Sequence, residues 1–248
     1  MAQKSSFGYV LKYILFAALF SVFIFIIISL ASYFQGRLPK AEPADAEMPS
    51  RYPTVVIDAG HGGEDGGTSG GGIVEKDLNL KIALDLADML RGAGFEVLLT
   101  REDDRLLYDL TSDYKGRKKQ LDLAERLRIG ESVENALFVS IHMNSFPDSK
   151  YRGLQVYFSQ NDPASEQLAQ SIQSTVCELL QKDNERQVKK ATSRIFILNQ
   201  IKKPAVLVEC AFLSNPEECA LISDEEYRKK LTFCIFSGIC KFISENSY

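Results

Sequence analysis

The chain has 248 residues, 45% of them hydrophobic, and a formal net charge of -4. That length and composition allow one well-buried domain and little more. The acidic excess grows once the charged residues ahead of position 51 are set aside, which argues against nucleic acid or another polyanion as partner.

The N-terminus carries Lys4 and Lys12 on a short tail, residues 1–12, and then Tyr13 to Phe34 contains no charged residue and is dominated by Ile, Leu, Phe and Ala. That run is long enough to span a bilayer as an uncleaved anchor. Lys4 and Lys12 on one side balance Arg37 and Lys40 on the other, so flanking charge does not set its orientation. Gln35 to Arg51, with Pro39, Pro43 and Pro49 among charged and small residues, has no hydrophobic periodicity and is expected to be a linker. The folded domain is expected over 52–248.

In the domain, short apolar strands alternate with helical patterns. Thr54 to Asp58 and Phe95 to Thr100 have strand character, and between them Leu78, Ile82, Ala83, Leu86 and Leu90 mark one helical face that ends at Gly92 and Gly94. A second helix is expected over Lys118 to Val133, a buried strand over Ala136 to Ile141 and an alternating strand over Leu154 to Phe158. Leu168, Ile172, Val176 and Leu179 mark a third helix, Ala205 to Glu209 another strand, and Tyr227, Leu231, Ile235 and Phe242 a C-terminal helix from about Asp224. The alternation predicts an α/β domain with a mostly parallel central sheet covered by helices on both faces.

Only two histidines are present, His61 after the first strand and His142 after the Ala136 strand, and Glu75 and Glu209 occupy comparable places. Beyond the carboxyl ends of such strands ligands collect. Two imidazoles and two carboxylates supply three metal ligands and a nearby acid or base, which is what a catalytic zinc site needs. Taken singly each has a structural explanation: a strand-end histidine packs, Glu75 complements a helix dipole, and a lone glutamate caps or pairs. Glu209, after Ala205, Val206, Leu207 and Val208, is the costliest to leave unpaired. The glycines from Gly60 to Gly72 do not form a phosphate loop, because no Gly-Lys-Ser/Thr follows and Glu64 and Asp65 repel phosphate. Arg194 and Asn144 are secondary candidates for substrate contact, outside the main site set, and Arg194 reads first as a solvated charge beside a strand.

Cys177, Cys210, Cys219, Cys234 and Cys240 are odd in number and form no close Cys-x-x-Cys pair, so they are expected to be buried apolar side chains rather than a disulfide framework. Cys210 follows Glu209 directly and is the one that could be reactive or compete for metal.

Four ordered segments carry a family resemblance: Asp58-Ala59-Gly60-His61-Gly62-Gly63, Glu75-Lys76-Asp77-Leu78-Asn79-Leu80, Ser140-Ile141-His142-Met143-Asn144-Ser145 and Val208-Glu209-Cys210-Ala211-Phe212-Leu213-Ser214-Asn215. Together they resemble the zinc-dependent N-acetylmuramoyl-L-alanine amidases of bacterial cell walls, from about Val55 to the C-terminus. The resemblance implies that His61, Glu75 and His142 bind Zn2+ and that Glu209 is the catalytic glutamate. Cys210 and Ala211 stand where such enzymes often have a small residue and glycine.

A short catalytic domain on one anchor, without wall-binding repeats, is further similar to the germination-specific subgroup that acts on spore-cortex peptidoglycan. That similarity implies stem removal as a step toward muramic δ-lactam, a downstream muramoyl deacetylase, a protein activator as partner, and a domain outside the cytoplasm on a membrane helix. A vegetative amidase for cell separation would share every catalytic residue, although the blocking helix of regulated division amidases has no obvious equivalent in Leu107 to Gln120. A non-catalytic peptidoglycan-binding activator would be expected to have lost one of the four residues. A metallopeptidase cutting within the stem fits the metal logic equally well.

Overall fold

The computed structural model describes residues 3–35, 52–108 and 115–246. The linker expected over Gln35–Arg51 lies outside them apart from Gln35, as do residues 109–114 of the Leu107–Gln120 segment. The chain divides into two compact units, Met1–Met48 and Pro49–Tyr248.

The first unit contains one helix, α1 (Gln3–Gln35), which begins well before Tyr13. Its Lys12–Leu30 stretch has a mean hydropathy of 2.8, and the described side chains there are exposed. Nineteen residues at ~1.5 Å each make about 28 Å, the thickness of a hydrocarbon core. By length and composition it is the one helix among the described residues able to cross a membrane.

The second unit runs β1 (Thr54–Ala59), a small antiparallel ribbon β2 (Ser69–Gly70) and β3 (Ile73–Val74), α2 (Glu75–Gly92), β4 (Val97–Leu99), α3 (Lys118–Glu131) and β5 (Ala136–Asn144). It continues with β6 (Gln155–Phe158), α4 (Ala164–Leu179), β7 (Lys189–Lys190), α5 (Phe196–Gln200), β8 (Ala205–Phe212), α6 (Pro216–Ser223) and α7 (Glu225–Glu245). The face of α2 expected from its 3.6-residue period is buried throughout, from Leu78 to Leu90. Pro216 at the first turn of α6 and the Asn215 side chain, which accepts from the Glu217 and Glu218 amides, start that helix.

The main sheet has the order β4-β1-β5-β8-β6-β7. β4, β1, β5 and β8 are mutually parallel, whereas β6 runs antiparallel to β8 and β7 parallel to β6. The predicted mostly parallel α/β sheet is thus correct, with a reversed pair at one edge. One face packs under α2, α4 and α7, around Val55, Ile57, Val139, Ile141, Val206 and Val208. The other carries Val56, Phe138, Ala205 and Leu207 beneath α3 and α5. Each fully buried Val, Ile, Leu or Phe among them contributes about 1.5–3 kcal/mol.

Two strands outrun their expected ends. β5 continues through His142 to Asn144, and β8 through Glu209 to Phe212. Glu209 is paired on both sides, with His142 of β5 and Gln155 of β6, so the ladder carries on past the residue where the apolar run stops. The two residues therefore lie within the strands rather than beyond them. β2, β3, β7, α5 and α6 are too short to leave a periodic signature.

Candidate metal centre and active site

β1 delivers the chain to Gly60 and His61, and His61 adopts a left-handed backbone with φ 63°. That conformation is uncommon for a residue with a Cβ and marks a constrained turn. Gly60 is required for a different reason: a Cβ there would overlap the His142 ring. The glycine lets the second histidine lie flat against the turn that carries the first, and the ring centroids are 5.0 Å apart.

Glu75 is the first residue of α2 and 3% exposed. Its Oε2 accepts from the Thr68 amide at 2.8 Å, and its Oε1 from the Met143 amide at 3.0 Å. The same Oε1 lies 3.0 Å from His142 Nδ1 and 3.3 Å from His61 Nε2. Burial pushes the Glu75 carboxyl up, but hydrogen bonds with His142 and His61 more than reverse this and hold it well below the usual carboxylate range. Burial alone would lower the His61 imidazole; Glu75, and Asp65 at 2.9 Å from its Nδ1, outweigh that and raise it.

One ligand atom from each of His61, Glu75 and His142 lies within 4.8 Å of the others, so this group could hold a metal ion. Two imidazoles and a carboxylate are donors that zinc takes at catalytic sites with an open fourth position. Glu209 stands beside it, opposite His142 in the ladder. Its Oε2 is buried without a hydrogen-bond partner, a costly state for a carboxylate. Burial, reinforced by Glu75 and opposed by His142 and His61, raises this carboxyl to about 7. A buried oxygen that changes protonation near neutrality, next to a metal-ligand group, is suited to proton transfer.

The family model described as N-acetylmuramoyl-L-alanine amidase matches residues 55–241. The chain belongs to this family. A germination-specific N-acetylmuramoyl-L-alanine amidase of Bacillus subtilis (strain 168) is 33% identical over 198 residues, covering 80% of this chain and 83% of that protein. The CwlD amidase from Clostridioides difficile, solved in complex with the GerS lipoprotein, is similar at 38% identity with a TM-score of 0.75. That match covers 78% of this chain and 100% of the solved one. An N-acetylmuramoyl-L-alanine amidase from Clostridium difficile 630 is 29% identical with a TM-score of 0.68, covering 79% and 100%. The amidase acts on peptidoglycan, hydrolysing the amide that joins N-acetylmuramic acid to L-alanine.

Of the amidase residues singled out from sequence, His61, Glu75, His142 and Glu209 converge. Arg194 reaches the rim of a pocket that His61 and His142 also line. Asn144 ends β5, where its carbonyl accepts from the Leu213 amide at 2.8 Å. Cys210 does not join the group: it is 1% exposed, and burial pushes its thiol up, so it stays an inert thiol. All five cysteines are free; Cys210, Cys219 and Cys234 are buried and Cys177 and Cys240 half-buried.

Two buried arginines escaped the sequence reading. Arg126 of α3 donates to Asp58 Oδ1 at 2.6 Å, the Ala59 carbonyl at 2.7 Å, the His61 carbonyl at 2.6 Å and Asp122 Oδ2 at 2.7 Å. Arg101 donates to the carbonyls of Ala59 at 2.8 Å, Gly60 at 3.0 Å and Lys76 at 2.9 Å. Together they tie down the backbone that presents His61. The available signal was Arg126 with Asp122 one turn away, both set among Leu123 and Leu127 on a face that should have been apolar.

Proposed function

We propose that the amidase is zinc-dependent, with His61, Glu75 and His142 as metal ligands, Glu209 as general base and then general acid, and 52–248 as the catalytic domain. The observation that carries this reading is the convergence of His61, just past β1, Glu75 at the start of α2, and His142 within β5, with Glu209 of β8 paired opposite His142. When bound, zinc would polarise the lactyl carbonyl, stabilise its developing negative charge and lower the pKa of a water. Glu209 takes a proton from the attacking water as the carbon–oxygen bond forms. It returns that proton to the alanine nitrogen as the carbon–nitrogen bond breaks, so the stem leaves as an amine rather than an amide anion. Glu75 accepts backbone hydrogen bonds on both oxygens, which holds it ionised and fixed in place.

The substrate we assign is spore-cortex peptidoglycan, as a step toward muramic δ-lactam that a downstream muramoyl deacetylase completes. Its support is the similarity to the germination-specific amidase and to CwlD. We further assign α1 as a single-pass membrane anchor holding the catalytic domain outside the cytoplasm, in the intermembrane space of the forespore. A lipoprotein is the partner suggested by the complex in which the CwlD amidase was solved, and we assign it the role of activator.

Mass spectrometry of purified peptidoglycan incubated with the protein and zinc, with and without chelator, tests the chemistry. Chelator-sensitive release of stem peptides beginning at alanine is expected; cleavage within the stem would refute the assignment. The cortex role requires that spores lacking the gene lose muramic δ-lactam, and unchanged δ-lactam would overturn it.

A further inference from the structure

A bay of about 230 Å³ opens beside the metal-ligand group, with His61 and His142 in its wall. Its remaining lining is largely apolar, from Leu123, Phe138, Ile195, Phe196, Leu198 and Leu207. A glycan strand must continue past the scissile bond in both directions, and a small bay does not suit a polymer that passes through. A side branch can end in it.

The charges around the bay decide what that branch should carry. Asp58 and Asp122 are both held by Arg126, at 2.6 and 2.7 Å. Asp65 faces His61 Nδ1 at 2.9 Å and Lys119 at 3.5 Å. Arg194, exposed at the rim, has no hydrogen bond or ion pair among the described residues. Of the lining's cations, Lys119, Arg126 and Arg194, only Arg194 is thus left without a partner among the described residues, over a largely apolar floor. On the substrate, the muramic acid carboxyl is consumed in the scissile amide, so the glycan side is uncharged there, whereas the peptide side carries carboxylates. A peptide carboxylate would give Arg194 the acceptor it lacks, which puts the peptide in the bay.

We propose that this bay is the stem-peptide subsite and that Arg194 is a specificity residue that binds the carboxylate of the stem's second residue, an assignment resting on the amidase reading above. The alanine methyl meets the apolar wall, and the planar guanidinium holds the carboxylate through two parallel hydrogen bonds.

The test uses the full chain in detergent with added zinc and two synthetic muramyl peptides, one with that carboxylate free and one with it converted to a carboxamide. Arg194→Ala is expected to raise KM on the free-carboxylate stem about 10- to 100-fold, with kcat within about twofold. On the carboxamide stem, whose oxygen can still accept one hydrogen bond, the variant should lose at most a few-fold in KM, and Arg194→Lys should keep part of the preference. A KM unchanged by Arg194→Ala, or raised equally on both stems, overturns the subsite while leaving the amidase intact. Failure of the parent protein to cleave either stem, both alone and with a lipoprotein partner added, would instead sink the amidase reading and the subsite with it.

Discussion

Replacing Arg126 by Ala should reveal how much of the site depends on a buried residue that is not one of the metal-ligand group. The side chain is 1% exposed and makes four hydrogen bonds of 2.6 to 2.7 Å, two of them to Asp58 and Asp122, themselves 1% and 3% exposed. Its loss leaves two buried carboxylates without their hydrogen-bonded counter-charge; Asp58 would keep hydrogen bonds only from Ser140 Oγ at 2.6 Å and Thr100 Oγ1 at 2.8 Å. Breaking a buried pair in this way costs about 3–5 kcal/mol. For a domain of this size each kcal/mol moves Tm by about 2–4 °C, so a fall of roughly 6–20 °C is expected in calorimetry of the 49–248 unit. The same change frees the His61 carbonyl, and zinc affinity measured by titration should drop about 10- to 100-fold. Adding Asp58→Asn and Asp122→Asn should recover much of the stability by removing the orphaned charges, but not the affinity. A Tm within about 2 °C of the parent, with unchanged zinc binding, would refute the clamp.

Three further outcomes follow from the same geometry. Glu209→Gln should lower kcat about 10²- to 10⁴-fold while one zinc still binds, and turnover within about tenfold of the parent would remove Glu209 from the proton path. Gly60→Ala forces a Cβ into the His142 ring, so zinc affinity should fall at least about tenfold; an unchanged titration would show that the ring is not seated against that glycine. Asp58 is held below its usual pKa because Arg126 and hydrogen bonds from Ser140 and Thr100 outweigh burial. Its contribution to stability is therefore present above the unfolded carboxylate pKa of about 3.9 and lost as pH falls through the lower folded value. Urea unfolding between about pH 2 and 6 should show an acid limb that Asp58→Asn flattens; an identical limb in both proteins would assign the acid sensitivity to other groups.

The alternation of strand and helix, the apolar face of α2 and the long apolar stretch of α1 were legible in the chain because each rests on a local period or a continuous composition, read one segment at a time. His61, Glu75, His142 and Glu209 could be singled out as candidates in the same way, since polar, metal-competent groups where apolar runs stop are costly unless they have a use. Pairing was not legible. That β6 runs against β8, and that β5 and β8 carry their ladders past His142 and Glu209, depends on neighbours far away in sequence. The roles of Arg101 and Arg126 were hidden for the same reason, because an arginine reads as a surface charge until the fold supplies the carbonyls and carboxylates that surround it. Residue types and their spacing determined what chemistry this protein holds. Only the tertiary structure decided how the loop that presents it is held, and which cation beside the site is left without a partner.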